Sequence, residues 1–434
     1  MSKRITVFTF FFLVASAAAT LGQSRKLAHL IPTLYGPTGL FVESEAVLPS
    51  GASHSAHFNS AFQSEFTQFN IALASQLTAV PLPSPASGFT YSYNESQGTF
   101  DRSTNSFGPI LAERAETIGK GKFSFGVSFQ SFTFDTIEGM DLSSVPAVFT
   151  HDGAAPGGRA DVVNTSNALD ARVGQFTTFL TYGFTDRMDL SVGIPLVSTE
   201  LTVTSDATVE RLGTASNHAV HFYSNDQEHL GDTRRFVAAG SASGIGDVVM
   251  RLKNRVLSGS KALAVAVDVR LPTGDEENLL GSGSFGVKPF VALSFANHFA
   301  SPHFNVGYQW NGQSLLAGDV LTGEKADLPD QFVYAAGIDL GITERVTVAF
   351  DLLGLRVFDS PQLTSRTFTG LDAAATTFPD ISFETKSYNQ TTGAAGVKIN
   401  PGGSFLVDFN LLFRLDDHGL RDKLTPMFGI EYSF

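Results

Sequence analysis

The feature that most constrains this chain is a set of segments in which apolar and polar side chains alternate with a period of two. In Phe123–Phe129 (FSFGVSF), apolar residues alternate with serine and glycine. Successive side chains of a β-strand point to opposite faces, so this pattern predicts strands with one apolar face. The same alternation recurs in Met188–Leu196, Leu263–Leu271, Phe304–Trp310, Phe332–Leu340 and Phe405–Leu415.

The composition favours lipid, rather than a protein core, as the environment of the apolar faces. Only 16% of the residues are charged, against about 25% in an average soluble domain. The opposite faces carry mainly Gly, Ser, Asn and Gln, whereas a soluble sandwich would present a highly charged outer face. We therefore predict an all-β fold, a transmembrane antiparallel β-barrel with a wet lumen. A soluble all-β protein is the alternative.

The barrel is expected to span residues 122–434 with about twelve strands. Short and long connections alternate along this region, as they do in outer-membrane barrels, with long connections at 137–168, 205–244 and 359–387. Fourteen strands are possible if 109–117 and a partner in 88–106 also join the wall. Glu113, Arg114 and Glu116 would then point charge at lipid in either orientation, which favours twelve. The predicted strands are 122–136, 169–184, 187–199, 245–257, 261–272, 286–296, 302–311, 331–342, 345–357, 388–399, 404–415 and 423–434.

Both ends of the chain carry export signals. Residues 1–23 combine Lys3 and Arg4, an apolar stretch and small alanines, which predicts a cleaved signal peptide; a membrane anchor is the alternative. The last strand alternates up to its C-terminal aromatic residue and resembles the assembly signal of outer-membrane barrels. We expect the barrel-assembly machinery and outer-membrane lipid as partners, and the cell outer membrane as the location. The residues of this assembly signal are Phe428, Ile430, Tyr432 and Phe434.

The segment 24–121 has a different character and is predicted to be a partly helical hatch. Within 53–77, large apolar residues recur at spacings of three and four, which predicts an amphipathic helix. Prolines at 81, 83 and 85 would end it, and a small hairpin should follow over 89–93 and 99–103. The alternative to a plug in the lumen is an appendage on the barrel rim. The predicted apolar face consists of Phe58, Phe62, Phe66, Phe69 and Leu73.

Alternation also assigns charged side chains to the lumen. Opposed charges in a pore can create a transverse field that selects solutes. Equally, these groups can pair with one another or with the N-terminal segment and only solvate the interior. The predicted lumen-lining residues are Arg251, Lys253, Arg255, Asp268, Arg270, Lys288, Asp339, Asp351, Asp408, Arg414 and Glu431.

Other chemistry has little support in the sequence. The chain has no cysteine, and a net charge of -13 without a basic cluster disfavours nucleic acid as a partner. His54/His57 and His218/His221 have a metal-like spacing but lack a third ligand. Residues 275–278 (DEEN) could hold calcium, although a solvated acidic loop is the simpler interpretation. We expect no metal, no cofactor and no enzymatic activity.

Three stretches resemble a known family of outer-membrane barrels. Arg270–Gly286 reads RLPTGDEENLLGSGSFG, and Gly244–Arg251 and His303–Gly312 are similar. They resemble the family named for the meta-pathway of phenol degradation, which is distantly similar to FadL/TodX-type importers. The resemblance covers mainly 170–434 and implies a passive transporter of small molecules, hydrophobic or aromatic ones among them. An open general porin for hydrophilic solutes and a structural or adhesive surface barrel stay as alternatives.

Overall fold

The computed structural model describes residues 26–36, 39–46, 56–60, 62, 67–79, 91–94, 99–102, 106–151, 161–214, 217–297 and 299–434. The N-terminal part contains β1 (Leu40–Ser44), β2 (Ala56–Asn59), α1 (Thr67–Ala79), β3 (Tyr91–Asn94) and β4 (Thr99–Arg102). The strands that follow are β5 (Phe123–Ile137), β6 (Met140–Asp141), β7 (Val145–His151), β8 (Val162–Thr185), β9 (Met188–Glu210), β10 (Val220–Phe222), β11 (Thr233–Ile245), β12 (Val248–Leu257), β13 (Lys261–Leu271), β14 (Gly286–Phe295), β15 (Ala300–Asn311), β16 (Gln313–Asp319), β17 (Glu324–Asp327), β18 (Gln331–Thr343), β19 (Val346–Thr369), β20 (Thr377–Gly402), β21 (Phe405–Arg414), β22 (Leu420–Asp422) and β23 (Leu424–Ser433). Short 3-10 helices lie at Leu27–His29 and Glu276–Asn278.

Twelve wall strands close into an antiparallel barrel, which confirms the predicted fold class. Each wall strand pairs with the next one along the chain, and β23 pairs with β5 to complete the ring. β11 and β12 count as one wall strand, because both pair with β9 and only residues 246–247 interrupt them. Residues 109–117 form no strand, so the fourteen-strand alternative is not realised.

The outer surface of the barrel carries an apolar band. A closed barrel leaves no unpaired strand edge, and an apolar outer band matches the hydrocarbon of a bilayer. The protein is therefore a barrel of the outer membrane. None of the helices in the described part of the chain is long and apolar enough to cross a membrane. Exposed members of the band include Phe123, Phe125, Phe129, Leu180, Ile194, Leu252, Val265, Phe304, Val306, Phe350, Phe409 and Tyr432.

At one level of the barrel, the apolar face of the wall changes from the outside to the inside. The small residues Ser131, Gly174, Ser198 and Ser243 are register partners across neighbouring strands, and we call them the boundary row. We call the wall on the periplasmic side of this row the membrane half and the wall beyond it the outer half. Along β9, outward residues in the membrane half are Leu190, Val192, Ile194 and Leu196, and outward residues in the outer half are Glu200, Thr202, Thr204 and Asp206. Inward residues change in the opposite sense, from Asp189 and Ser191 to Leu201, Val203, Ala207 and Val209.

Several wall strands are longer than predicted, because they continue beyond the level at which the apolar face turns inward. β8, β9, β19 and β20 contain 24, 23, 24 and 26 residues and continue far beyond the predicted limits. The segment 359–387, predicted as a loop, is largely strand. The predicted loop 205–244 contains the end of β9, β10 and most of β11, and 137–168 contains β6, β7 and the start of β8. At about 3.3 Å per residue, 24 residues reach roughly 80 Å, well beyond the ~30 Å hydrocarbon layer. Alternation continues there, but its apolar face turns inward.

The N-terminal part packs inside the outer half. Helix α1 is shorter than the predicted helix over 53–77, because Phe58 belongs to β2, which pairs with β1 and β7. Phe58, Phe62, Phe69 and Leu73 are all buried in one apolar core with the inward residues of the outer half. Phe66, also assigned to this face, lies outside the described residues. The predicted hairpin forms as β3 and β4. The residues that predicted one helix thus lie in more than one element and share one core.

Candidate functional site

A second N-terminal segment occupies the lumen of the membrane half. Residues 106–119, which we call the lumen belt, are buried at every position and form neither helix nor strand. Buried backbone groups need hydrogen-bond partners, and the wall supplies them. Phe107 N donates to Thr347 Oγ1 (3.0 Å), and the amides of Leu111 and Ala112 donate to Asp351 Oδ2 (2.6 and 2.9 Å).

The belt then continues across the inner wall towards β9. Its Glu113 exchanges two backbone hydrogen bonds with the side-chain amide of Asn305 on β15 (2.7 and 2.8 Å). Ala115 N donates to Ser294 Oγ on β14 (2.9 Å), and Ile118 N donates to Asp189 Oδ2 on β9 (3.0 Å). The polar inner face of the membrane half therefore binds a peptide segment through that segment's backbone.

Glu113 is the centre of a buried charge cluster. Its carboxylate accepts hydrogen bonds from Arg251 and from Lys253 Nζ (2.7 Å). Arg251 also holds Asp268 with two hydrogen bonds (2.6 and 2.8 Å), and Lys288 Nζ lies 3.0 Å from the same carboxylate. Four of the predicted lumen residues thus form one cluster with this belt carboxylate. Lys253 additionally donates to two belt carbonyls.

The next belt residue, Arg114, approaches a second group of wall residues. Its guanidinium is fully buried and lies 3.6 Å from Asp339 Oδ2. Asp339 is also hydrogen-bonded to His303, whose other ring nitrogen lies 2.8 Å from Ser294 Oγ. Asp339 therefore faces two basic side chains, which compensate the cost of burying its charge.

A third group lies where the belt begins. Lys398 donates to the carbonyl of Pro109, while Ser124 donates to Glu431 Oε1 (2.7 Å). Asp408 accepts a hydrogen bond from Asn410 on the same strand. Lys398, Asp408 and Glu431 line one small cavity together.

The other three predicted lumen residues lie near strand ends. Arg255 donates to the carbonyl of Asp186 in a periplasmic turn (2.7 Å). Arg270 donates to Asn311 Oδ1 (2.7 Å). Arg414 donates to Thr136 Oγ1 (2.6 Å) and lies 3.3 Å from Asp417. None of these three contacts the belt by a hydrogen bond among the described residues.

Sequence reasoning missed five members of these groups: Glu113, Arg114, Asp189, His303 and Lys398. The last three follow from the same alternation that gave their neighbours and could have been found. Glu113 and Arg114 were recognised only as charges unsuited to a lipid-facing strand. Their position inside the lumen depends on tertiary contacts that no local pattern reports.

Two of the cavities in the described part of the barrel adjoin the belt. The upper cavity, of about 160 Å³, lies between α1 and the belt, with Gln76, Leu111 and Glu113 in its lining. The lower cavity, of about 40 Å³, adjoins Ile110 near the periplasmic end. An apolar cluster that contains Ile110, Leu111, Leu412 and Met427 lies between them. The inward apolar residues Phe132, Phe290, Val333, Leu353, Leu355 and Leu412 line the upper cavity beside polar groups.

The acidic loop 275–278 pairs with basic side chains. Glu276 accepts from Lys325 (2.8 Å), and Asp275 and Glu277 face Lys26 at 3.3 and 3.6 Å, so the acidic loop holds the N-terminal part in place. His54 lies outside the described residues, as does the side chain of His57. Within the described ranges, no three His, Asp or Glu side chains are grouped as metal ligands.

His221 and Asp161 form a buried contact in the outer half. His221 adopts a positive φ of 59° and its Nδ1 lies 2.8 Å from Asp161 Oδ2, whereas His218 is exposed. Burial raises the pKa of Asp161, but hydrogen bonds with His221, Thr214 and the Gly213 amide outweigh it, so its pKa lies below the ordinary value.

The residues of the predicted assembly signal lie on the outward face of the closing strand. Tyr432 and Phe434 are exposed, while Phe428 and Ile430 are half-buried. Phe434 stacks on Phe123 of the neighbouring strand (ring centroids 5.6 Å apart), so these aromatics lie at the seam of the barrel.

Three solved structures illustrate what the fold is similar to. The COG4313 outer membrane channel from Pseudomonas putida F1 is 13% identical, with a TM-score of 0.44 over 74% of this chain and 98% of that one. The TodX monoaromatic hydrocarbon channel deltaS2 mutant is 10% identical (TM-score 0.32, 74% and 91%). The Ralstonia pickettii toluene transporter TbuX is 12% identical (TM-score 0.27, 73% and 90%).

Sequence comparison gives the family. No curated protein sequence matches the chain. A family model matches residues 150–416, which is more than half of the chain and includes most of the wall strands. The chain belongs to the family described as "Putative MetA-pathway of phenol degradation".

Proposed function

We propose that this barrel is a passive outer-membrane transporter for small hydrophobic or aromatic molecules. The observation that carries the proposal is the upper cavity, which lies in the barrel between α1 and the belt. Small-molecule sites are concave, mostly apolar and supplied with a few placed polar groups, and this lining has that character. The channels to which the fold is similar include one for monoaromatic hydrocarbons and one for toluene.

The route we propose passes from the upper cavity to the lower one. The apolar cluster between them closes the route to water and ions, so a solute would cross it by displacing Leu111 and Ile110 of the belt. The segment 24–121, interpreted as a hatch, would then act in two parts, and its part 106–119 would form the barrier. An open porin for hydrophilic solutes is disfavoured by the unbroken burial of the belt.

Two neighbouring residues offer a direct test. Leu353 lines the upper cavity, whereas Leu352 points outward and is 40% exposed. Leu353→Trp should fill part of the cavity and lower the uptake of a small aromatic solute by cells that carry the protein. Leu352→Trp places the same ring in lipid and should leave uptake unchanged. Equal uptake by both variants, or faster entry of a small sugar than of the aromatic solute, would contradict the proposal.

We also propose the two export steps that the sequence predicts. Residues 1–23 would be removed as a signal peptide, and the outward face of β23 would be recognised by the barrel-assembly machinery. Deletion of Phe434 should slow the appearance of heat-modifiable protein in the outer membrane, while Leu411→Ala, on the outward face of β21, should not. N-terminal sequencing of the purified protein locates the cleavage.

A further inference from the structure

One cation at the upper cavity differs from the others in its partners. Arg251, Lys288 and Arg414 each lie within 3.3 Å of a carboxylate oxygen. Arg421, on β22, has no carboxylate within the 4.0 Å of an ion pair among the described residues. The cavity lining therefore contains one guanidinium that makes no ion pair within the described part of the chain.

The contacts of Arg421 leave part of its hydrogen-bonding capacity unused. Its side chain is buried, with the residue 4% exposed, and Nη2 donates to Thr391 O (2.5 Å) and Thr392 Oγ1 (3.2 Å). Its Nε is buried and makes no hydrogen bond. Buried polar atoms in folded proteins are almost always hydrogen-bonded, so such an exception calls for an explanation.

The nearest carboxylate in sequence does not serve as its partner. Asp422 already accepts from Thr133 N (3.1 Å), Leu424 N (3.0 Å) and Thr425 Oγ1 (2.7 Å). β22 is also fixed to β5 by the pairing of Leu420 with Ile137. Asp416 and Asp417 act on the charge of Arg421 from beyond ion-pair distance, and Asp417 lies 3.3 Å from Arg414. Arg421 is thus held in place by the wall without an ion pair of its own among the described residues.

We propose that the upper cavity binds small amphipathic organic anions, with the carboxylate of the ligand on Arg421. A planar guanidinium matches a carboxylate through parallel hydrogen bonds. An apolar or aromatic body would lie against Phe132, Leu412 and Leu420, which line the same cavity. This proposal rests on the proposed transport function and specifies its preferred substrates as carboxylates rather than neutral hydrocarbons.

Binding of matched probes to the purified full-length protein tests the proposal. Benzoate and benzyl alcohol share a ring and differ in charge. Calorimetric titration should show benzoate binding at least about tenfold more tightly, as a charge-assisted hydrogen bond predicts. Arg421→Met should abolish that preference, while Arg414→Met, at a paired cation of the same cavity, should keep it. Equal affinities for the two probes in the unmodified protein, or loss of the preference only in Arg414→Met, would overturn it.

A second variant distinguishes loss of the carboxylate site from misfolding of the protein. Arg421→Lys keeps the charge and loses the planar fork, so it should fold and bind benzoate several-fold more weakly. Benzoate binding by Arg421→Lys at full strength would overturn the proposal, whatever Arg421→Met does. Binding of benzyl alcohol without a preference for benzoate would refute the carboxylate site and leave the transport function standing. If neither probe binds or enters cells, the proposed function falls as well.

Discussion

The membrane half and the outer half of this barrel are built from the same strands with opposite patterns. In the membrane half, apolar residues face outward and the polar interior holds a peptide belt by hydrogen bonds. In the outer half, polar residues face outward and the apolar interior packs on the N-terminal part. The medium outside the wall therefore decides which face of a strand is apolar. The segment inside each half matches the polarity of the inner wall that surrounds it.

The largest effect should come from a substitution that loosens the lumen belt in the membrane half. Glu113→Ala removes the carboxylate between Arg251 and Lys253. Loss of one partner of a buried ion pair costs about 3–5 kcal/mol, so the belt should loosen and the single-channel conductance should rise. Glu277→Ala in the outer half breaks a pair that is about 40% exposed and worth at most ~1 kcal/mol. If conductance rose with Glu277→Ala and not with Glu113→Ala, the N-terminal part in the outer half, rather than the lumen belt, would limit conductance.

Two leucines on β9 allow the inward apolar face of the outer half to be compared with the outward apolar face of the membrane half. Leu201 is 1% exposed and packs in the core of the outer half, whereas Leu196 is 50% exposed on the lipid side. Leu201→Ala should cost about 2–5 kcal/mol and make the outer half sensitive to protease. We expect Leu196→Ala to have a much smaller effect. Equal protease resistance of the two variants would show that the outer half is not held by an apolar core.

A charge placed on the outward face should distinguish the halves directly. Val306 and Val237 are 45% and 59% exposed, the first in the membrane half and the second in the outer half. Val306→Arg should cost about 2–4 kcal/mol near the bilayer midplane and reduce the amount of heat-modifiable barrel. Val237→Arg faces water and should assemble normally. If Val237→Arg were the more damaging change, the boundary row would be misplaced.

The smallest effect should be a dependence of the outer half on acidity. Because the folded pKa of Asp161 lies below its ordinary value, its ionised form stabilises the fold above the ordinary carboxyl pKa. This stabilisation is lost as the pH falls through the lowered folded pKa. Protease resistance of the outer half should therefore decline in strongly acidic solution. Asp161→Asn should be less resistant at neutral pH and vary less with acidity; an unchanged profile would exclude this role.

The sequence predicted the membrane half well and the outer half poorly, for one physical reason. An apolar face of fixed outward direction identified the wall strands near Phe123 and Val306, but beyond Ser198 the direction reverses and the strands were taken for loops. The belt was missed because its partners are distant in sequence: Glu113 lies 138 positions from Arg251. Alternation places side chains on a face, whereas the identity of what fills the interior depends on contacts between remote segments.

The seam of the barrel sets the order in which the molecule can be assembled. The belt runs directly into β5, and β5 is joined to the end of the chain by reciprocal backbone hydrogen bonds between Phe123 and Phe434 (both 2.9 Å). The belt is inside the ring, and the N-terminal part that precedes it packs within the outer half. Once the seam is formed, that bulk would have to thread through a completed wall. The belt and the described residues of the N-terminal part that pack in the outer half must therefore be in place before the last strand docks, so the pairing of β23 with β5 retains the segments that precede β5.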